Sequence, residues 1–163
     1  MPDRITNLII AGLGGQGVLK ASDILAEAAM RAGFDVKKSE VHGMSQRGGS
    51  VRSDVRFGDR VFSPIVPAGE TDFLVIMAPD QAEPYRSCLA ANGRIIGPEG
   101  LSLDELPNKK SLNIALLGRL SHYLAIPMEI WLAAIHAHLP GKLMVMNASV
   151  FQLGWSEQNA SRL

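Results

Sequence analysis

Gly12, Gly14 and Gly17 stand at the spacing G-x-G-x-x-G, and the chemistry this suits is the cradling of a phosphate by backbone. One glycine turns sharply, one lets the chain approach an anion, and one lets a helix pack closely on a strand. The N–H groups that open the next helix then face the anion. A second stretch, His42-Gly43-Met44-Ser45-Gln46-Arg47-Gly48-Gly49-Ser50, joins a pliable backbone to the donors His42, Ser45, Gln46, Arg47 and Ser50. The Arg47 guanidinium offers a planar fork to a carboxylate, a phosphate or a partner carbonyl. The functional reading is a contact loop at the carboxyl end of the sheet, beside the glycine turn, and the plain one is a solvated surface connection.

Several enzyme templates fail on these residues. A dinucleotide-binding fold closes its second strand with an acid that holds the ribose. Here that strand ends Val36-Lys37-Lys38-Ser39 and Glu40 comes late, which favours an empty or repurposed glycine turn. Gly12 to Gly17 also has Walker A spacing, but Val18-Leu19 follows where Lys-Ser/Thr is needed. Gly43-Met44-Ser45-Gln46-Arg47 misses a nucleophile elbow, because Arg47 replaces the last glycine. His136 and His138, two apart on a helix, face different ways and are poorly placed to share a metal. His122 reads as a surface or satisfied core histidine. Cys88 is the single cysteine, which excludes a disulfide framework, a thiolate-held cluster and a Cys-rich zinc site. It reads as a small buried hydrophobe. No paired carboxylates stand out, and no catalytic or metal-ligating residue is assigned.

The elements that must position these residues follow from periodicity. Ile5 to Ala11 is a short apolar run stopped by glycines, as expected of a buried parallel strand. Val18, Ala21, Leu25, Ala28 and Ala32 form one helical stripe, with Gly33 as its stop. Phe34 to Ser39 reads as a second strand, giving a βαβ unit. Val51, Ser53, Val55 and Phe57 alternate with Arg52, Asp54 and Arg56, which predicts a strand with one wet or interfacial face. After the turn at Gly58-Asp59, residues 60–63 are a candidate hairpin partner. Further strands are expected at 73–78 and 94–97, with a helix between them over about 80–91. Residues 98–111 read as a surface excursion. Helices are expected over 113–125, 128–139 and 147–152. The fold class is therefore α/β: one Rossmann-like domain over residues 1–163, with a mostly parallel sheet and a helical C-terminal third.

Sixteen Lys and Arg balance sixteen Asp and Glu, so no overall field draws the chain to nucleic acid or an anionic membrane. Residues 31–60 nevertheless hold seven basic residues against four acids, and residues 61–105 two against seven. Such a layout suits docking to a protein or binding a small anion, and equally suits solvated faces on opposite sides of a domain. The N-terminus leads into an apolar segment too short for a signal peptide, and no stretch has the length of a membrane span. With one cysteine, a reducing cytoplasmic location is the expectation.

Gly14-Gly15-Gln16-Gly17 followed by Val18, the loop from His42 to Val51, Leu117-Gly118, and Asn147 with Gly154 together resemble the gamma domain of 2-oxoacid:ferredoxin oxidoreductases. The resemblance runs from Ile5 to about Trp155, and its loop wording is most similar to indolepyruvate-type chains. It implies a complex that decarboxylates a 2-oxoacid with thiamine diphosphate and Mg2+, passes the acyl group to coenzyme A, and sends electrons through iron–sulfur clusters to ferredoxin. The thiamine and the clusters would belong to a larger catalytic partner, and this chain would bind none of them alone. Gly14, Gly15, Gln16 and Gly17 would form a turn near the subunit interface. His42, Ser45, Gln46, Arg47, Gly48 and Gly49 would reach the partner or line the coenzyme A entrance. A homodimer is the expectation for the isolated chain. Two other readings stay open: a self-contained NAD(P)- or flavin-binding protein, and a non-catalytic scaffold paralogue.

Overall fold

The computed structural model describes residues 4–42 and 49–160. β1 (Thr6–Leu13) is the middle strand of five, and its residues 7–12 are all buried. Both of its faces are covered, which is why it reads as a continuous apolar run. The strand order is β2-β3-β1-β4-β5, with β2 at Asp35–His42, β3 at Ser50–Gly58, β4 at Thr71–Ile76 and β5 at Leu89–Ile96. β1, β4 and β5 pair in parallel, while β3 is antiparallel to both β1 and β2. Four strands thus share one direction, and the expected α/β class with a mostly parallel sheet holds. The βαβ unit is split, however: β3 lies between β1 and β2. Only seven residues join β2 to β3, too few for a parallel crossover, so the chain turns back as a hairpin.

One face of the sheet carries all the long helices. α1 (Val18–Arg31) buries Val18, Ala21, Ile24, Leu25 and Ala28 on it. The helix ends at Gly33, whose φ of +97° lets its N–H reach the Met30 carbonyl and the Phe34 N–H reach that of Ala29. Phe34 then packs on Phe57 with ring centroids 5.2 Å apart. α3 (Leu112–Ser121), α4 (Met128–His138) and α5 (Met144–Ala160) complete the layer, with the fully buried Trp131 of α4 against Phe151 of α5. α5 begins earlier and runs longer than its sequence suggested. α3 and α5 cross very closely at Gly118 and Gly154. A Cβ on Gly154 would lie 1.9 Å from the Ala115 carbonyl oxygen, and one on Gly118 would lie 2.1 Å from that of Phe151.

The opposite face is covered by irregular chain, and two expectations are corrected there. Residues 60–63 do not return as a strand. The segment 59–70 instead lies across the sheet as a strap, broken by Pro64 and Pro67 and tied down by polar groups. The Asp35 carboxylate accepts from the Val61 N–H (2.8 Å), Arg56 Nη1 donates to the Ser63 carbonyl (2.8 Å), and Asp54 Oδ2 accepts from the Val66 N–H (2.9 Å). Asn7 takes Arg56 Nε on its Oδ1 and donates from Nδ2 to the Glu70 carbonyl. The alternating polar side of β3 is therefore not wet, since Asp54 and Arg56 are buried beneath the strap. The Val61 N–H and then the Lys37 ammonium hold the Asp35 carboxyl below the usual carboxylate range.

The helix expected over 80–91 is also absent. Pro79 opens a single 3₁₀ turn, α2 (Ala82–Tyr85) lasts four residues, and a second 3₁₀ turn follows. Pro84 has no N–H for an interior helical bond, so a long helix is not available there. β5 starts at Leu89 instead, and its register jumps from Thr71↔Leu89 to Phe73↔Arg94. The bulge brings Gly93 so near β4 that a Cβ would sit 2.6 Å from the Thr71 carbonyl oxygen.

Candidate functional site at the carboxyl end of the sheet

The glycine turn leaves β1 after Leu13 and is bound by its own side chains. Gln16 folds back so that Oε1 accepts the Leu13 N–H at 2.7 Å, and the Gln16 N–H donates to the Leu13 carbonyl at 3.1 Å. Gly15 and Gly17 have φ of +88° and +81°, the left-handed region that favours glycine. Gly17 caps α1, and Asn113 of α3 donates to its carbonyl at 3.2 Å. A Cβ on Gly12 would meet Gln16 Oε1 and Val18 Cγ2, each at 2.9 Å. Gln16 and Asn113 thus satisfy backbone groups on either side of the turn, at the Leu13 N–H and the Gly17 carbonyl. Glu40, the late acid on β2, pairs with Lys38, whose Nζ also reaches Asp23 at 2.5 Å. Burial lowers the Lys38 pKa, but hydrogen bonds to Asp23 and Glu40 outweigh it and hold the ammonium above its ordinary value. This arrangement favours an internally satisfied turn over a dinucleotide cradle.

Gly17→Ala is expected to destabilise the domain by about 2 kcal/mol, from left-handed strain together with overpacking. The new methyl would lie 2.5 Å from Asn113 Nδ2. A denaturation midpoint measures this, and an unchanged midpoint would show that the turn is looser than described.

The structure brings the two sequence motifs together. The Gly14 N–H donates to the Gly49 carbonyl at 2.9 Å, and Leu13 pairs with Ser50. The hairpin loop therefore rises from the same end of the sheet as the glycine turn, where open α/β sheets place ligands and partners. His42 ends β2 opposite Val51. Ser45, Gln46, Arg47 and Gly48 lie outside the described residues.

Beside the loop's base is a cleft of about 450 Å³ lined by Ser39, Val41, Ser50, Arg52, Asp54, Ile65 and Tyr85. Arg52 grips Asp54 with two bonds, Nε–Oδ1 at 2.6 Å and Nη2–Oδ2 at 3.0 Å. The carboxylate raises the pKa of the Arg52 guanidinium against the effect of burial. Arg52 also lies over the Tyr85 ring (5.6 Å) and donates to Cys88 Sγ at 3.8 Å. Cys88 is half-buried: it packs against the apolar cluster of Ile9, Ala11, Val66, Leu74 and Ile76, as a small hydrophobe would, and also takes this one donor. Sequence reasoning missed this cleft because Tyr85 and Ile65 come from segments without regular periodicity. The alternation of Arg52 and Asp54 was the available signal.

Of the remaining histidines, His138 ends α4 close to the start of α1, where its carbonyl accepts from Lys20 Nζ at 3.3 Å. His122 stacks on Trp155 with centroids 4.9 Å apart, and its Nε2 is hydrogen-bonded to the Trp155 carbonyl. Among the described residues no group of three or more His, Cys, Asp or Glu side chains is placed to hold a metal, and no helix is long and apolar enough to cross a membrane.

Comparison with known proteins agrees with this geometry. Residues 7–107 match the family model described as pyruvate ferredoxin/flavodoxin oxidoreductase. A chain from Thermococcus kodakarensis described as indolepyruvate oxidoreductase subunit IorB is 34% identical over 91% of this chain and 93% of its own length. A keto/oxoacid ferredoxin oxidoreductase gamma subunit from Geobacter sulfurreducens has the same fold at a TM-score of 0.78, with 22% identity over 95% of this chain and 99% of that one. A 2-oxoglutarate:ferredoxin oxidoreductase from Magnetococcus marinus matches at 0.81 and 17% identity, over 96% of this chain but 31% of that one. The fold, the matched glycine turn and hairpin, and the near full-length similarity to a subunit of such an enzyme agree: the chain belongs to the pyruvate ferredoxin/flavodoxin oxidoreductase family.

Proposed function

We propose that residues 1–163 act as one gamma-type subunit of a 2-oxoacid:ferredoxin oxidoreductase, with indolepyruvate as the 2-oxoacid. The observation that carries this reading is the 34% identity to an indolepyruvate oxidoreductase subunit along nearly the whole of both chains. In this reading the larger catalytic partner holds thiamine diphosphate, Mg2+ and the iron–sulfur clusters. Together they convert the 2-oxoacid to an acyl-CoA and pass electrons to ferredoxin. One cysteine in 163 residues cannot hold a cluster that needs four ligands, and the glycine turn is tied by Gln16 and Asn113 of this chain itself. The hard redox chemistry accordingly belongs to the partner's cofactors. This chain's part is to present the loop at 42–49, anchored through Gly49 to Gly14, to that partner or to the coenzyme A entrance. A cytoplasmic location fits such an electron-transfer complex.

A tagged chain drawn from the extract of its own cells is the test. It is expected to bring down a larger subunit containing thiamine diphosphate and iron–sulfur clusters, with viologen reduction that depends on indolepyruvate and coenzyme A. Activity with 2-oxoglutarate or pyruvate instead would overturn the substrate and keep the subunit role. Recovery of the chain alone, without activity, would sink the reading. Tight binding of NAD(P) or flavin to that lone chain would then favour a self-contained oxidoreductase.

A further inference from the structure

The geometry points to the strap 59–70 and the outer face of β2 as the surface on which the larger catalytic subunit docks, with Phe62 as the anchor. This rests on the subunit reading above and names the face it uses. Every long helix lies on one side of the sheet, whereas α/β sheets normally bury both faces. On the thinly covered side, Phe62 is 85% exposed, Ile65 61% and Val41 58%. The strap that carries Phe62 and Ile65 is held by buried Asn7, Asp54 and Arg56, through bonds to its Ser63, Val66 and Glu70 backbone groups. Those anchors stop the strap from rolling its apolar side chains onto the sheet. A rigidly presented aromatic loses little entropy on binding, which is how pre-organised interfaces gain affinity.

Charge says more about the occupant. Arg60 lies over the Phe62 ring at 5.8 Å and makes no ion pair among the described residues. An aromatic side chain with an adjoining unpaired guanidinium is the residue pairing enriched at the centre of protein interfaces. It fits an apolar pocket rimmed by carboxylate. The patch continues through Val41 and Ile65 into the cleft that ends at Ser50, beside Gly49 and the base of the loop that the proposed function gives to the same partner. A large neighbour also accords with the Magnetococcus marinus chain, in which this fold makes up less than a third of the length.

The tagged wild-type chain, the double variant F62D/I65D and the single variant R60E, each drawn from native extract, test the assignment. Both residues of the double variant are exposed, so its melting temperature should match wild type. Its affinity for the larger subunit should fall at least ~100-fold, so that it is recovered without 2-oxoacid-dependent viologen reduction. R60E should weaken the complex about 10-fold and reduce its sensitivity to salt, and it serves as the readout if the double variant melts early. Retention of the active larger subunit by both variants at wild-type stoichiometry overturns the assignment. So does a wild-type dimer that F62D/I65D converts to monomer while the larger subunit stays bound, since a second copy then occupies the patch. If wild type itself brings down no 2-oxoacid-oxidising subunit, the subunit reading fails first.

Discussion

Gly154→Ala should lower the melting temperature by about 6–12 °C, although alanine is the better helix former. In an exposed helix interior the exchange gains about 1 kcal/mol. Here the added methyl would lie 1.9 Å from the Ala115 carbonyl oxygen and 2.7 Å from its carbon, both backbone atoms of the facing helix. No rotamer relieves such a contact, so α3 and α5 must separate. Separation opens the packing around Phe151, which is fully buried against Trp131. Overpacking against rigid backbone costs about 4 kcal/mol here, above the common range for side-chain crowding, and the propensity gain of about 1 kcal/mol leaves about 3 kcal/mol net. With roughly 2–4 °C per kcal/mol for a domain of this size, the stated fall follows from a cost of about 3 kcal/mol. Gly118→Ala should behave alike, since its methyl would meet the Phe151 carbonyl oxygen at 2.1 Å. Scanning calorimetry decides the matter: a rise in melting temperature for either variant would mean that the two helices do not cross this closely.

Asp54→Ala should cost about 3 kcal/mol through a different mechanism. The Asp54 side chain is 4% exposed and accepts two bonds from Arg52 and one from the Val66 N–H. Removing it strands a cation that is itself 22% exposed, together with a buried backbone donor. Losing one partner of a buried pair costs about 3–5 kcal/mol, and the lower end applies because Arg52 keeps some water and its contact with the Tyr85 ring. Asp54→Asn retains an acceptor for Val66 and should cost less. The two variants are read by chemical denaturation and by hydrogen exchange at the Val66 amide, whose protection should drop in Asp54→Ala. An unchanged midpoint with an unchanged Val66 amide would refute the anchoring role.

Much of this was legible in the chain and some was not, for reasons that sort by residue. β1 and α1 were readable because both answer to one dominant demand: a strand buried on both faces, and a helix with a single apolar stripe ending at Gly33. β3 was legible as a strand but not in its position, because alternation reports that two faces differ and not what covers each. Asp54 and Arg56 look like solvent-facing residues until the strap is laid over them. The supposed helix at 80–91 failed at Pro84, where one missing N–H outweighs the propensity of its neighbours. Within the candidate site, the glycine turn and the hairpin loop could be named from composition. Their closeness at the carboxyl end of the sheet was expected, whereas the bond from Gly14 to Gly49 was not, since it depends on β3 entering between β1 and β2. Gln16 was noticed as part of the motif, whereas Asn113, nearly a hundred residues away, gave no local sign that it would close the same turn. Gly118 and Gly154 belonged to the wording of the resemblance, and their work proves to be helix packing.

The strap is held almost wholly by its main chain. Asp35 takes the Val61 N–H, Arg56 the Ser63 carbonyl, Asp54 the Val66 N–H and Asn7 the Glu70 carbonyl, and of its side chains the sheet claims Val61 and Val66 as buried residues. The lettering at positions 62 and 65 is therefore free of the grip that fixes the strap's path. Such a segment can be rewritten without renegotiating the fold, much as a key blank accepts new cuts. Exchanging these outward side chains gives an economical route to a chain of the same architecture that recognises a different neighbour.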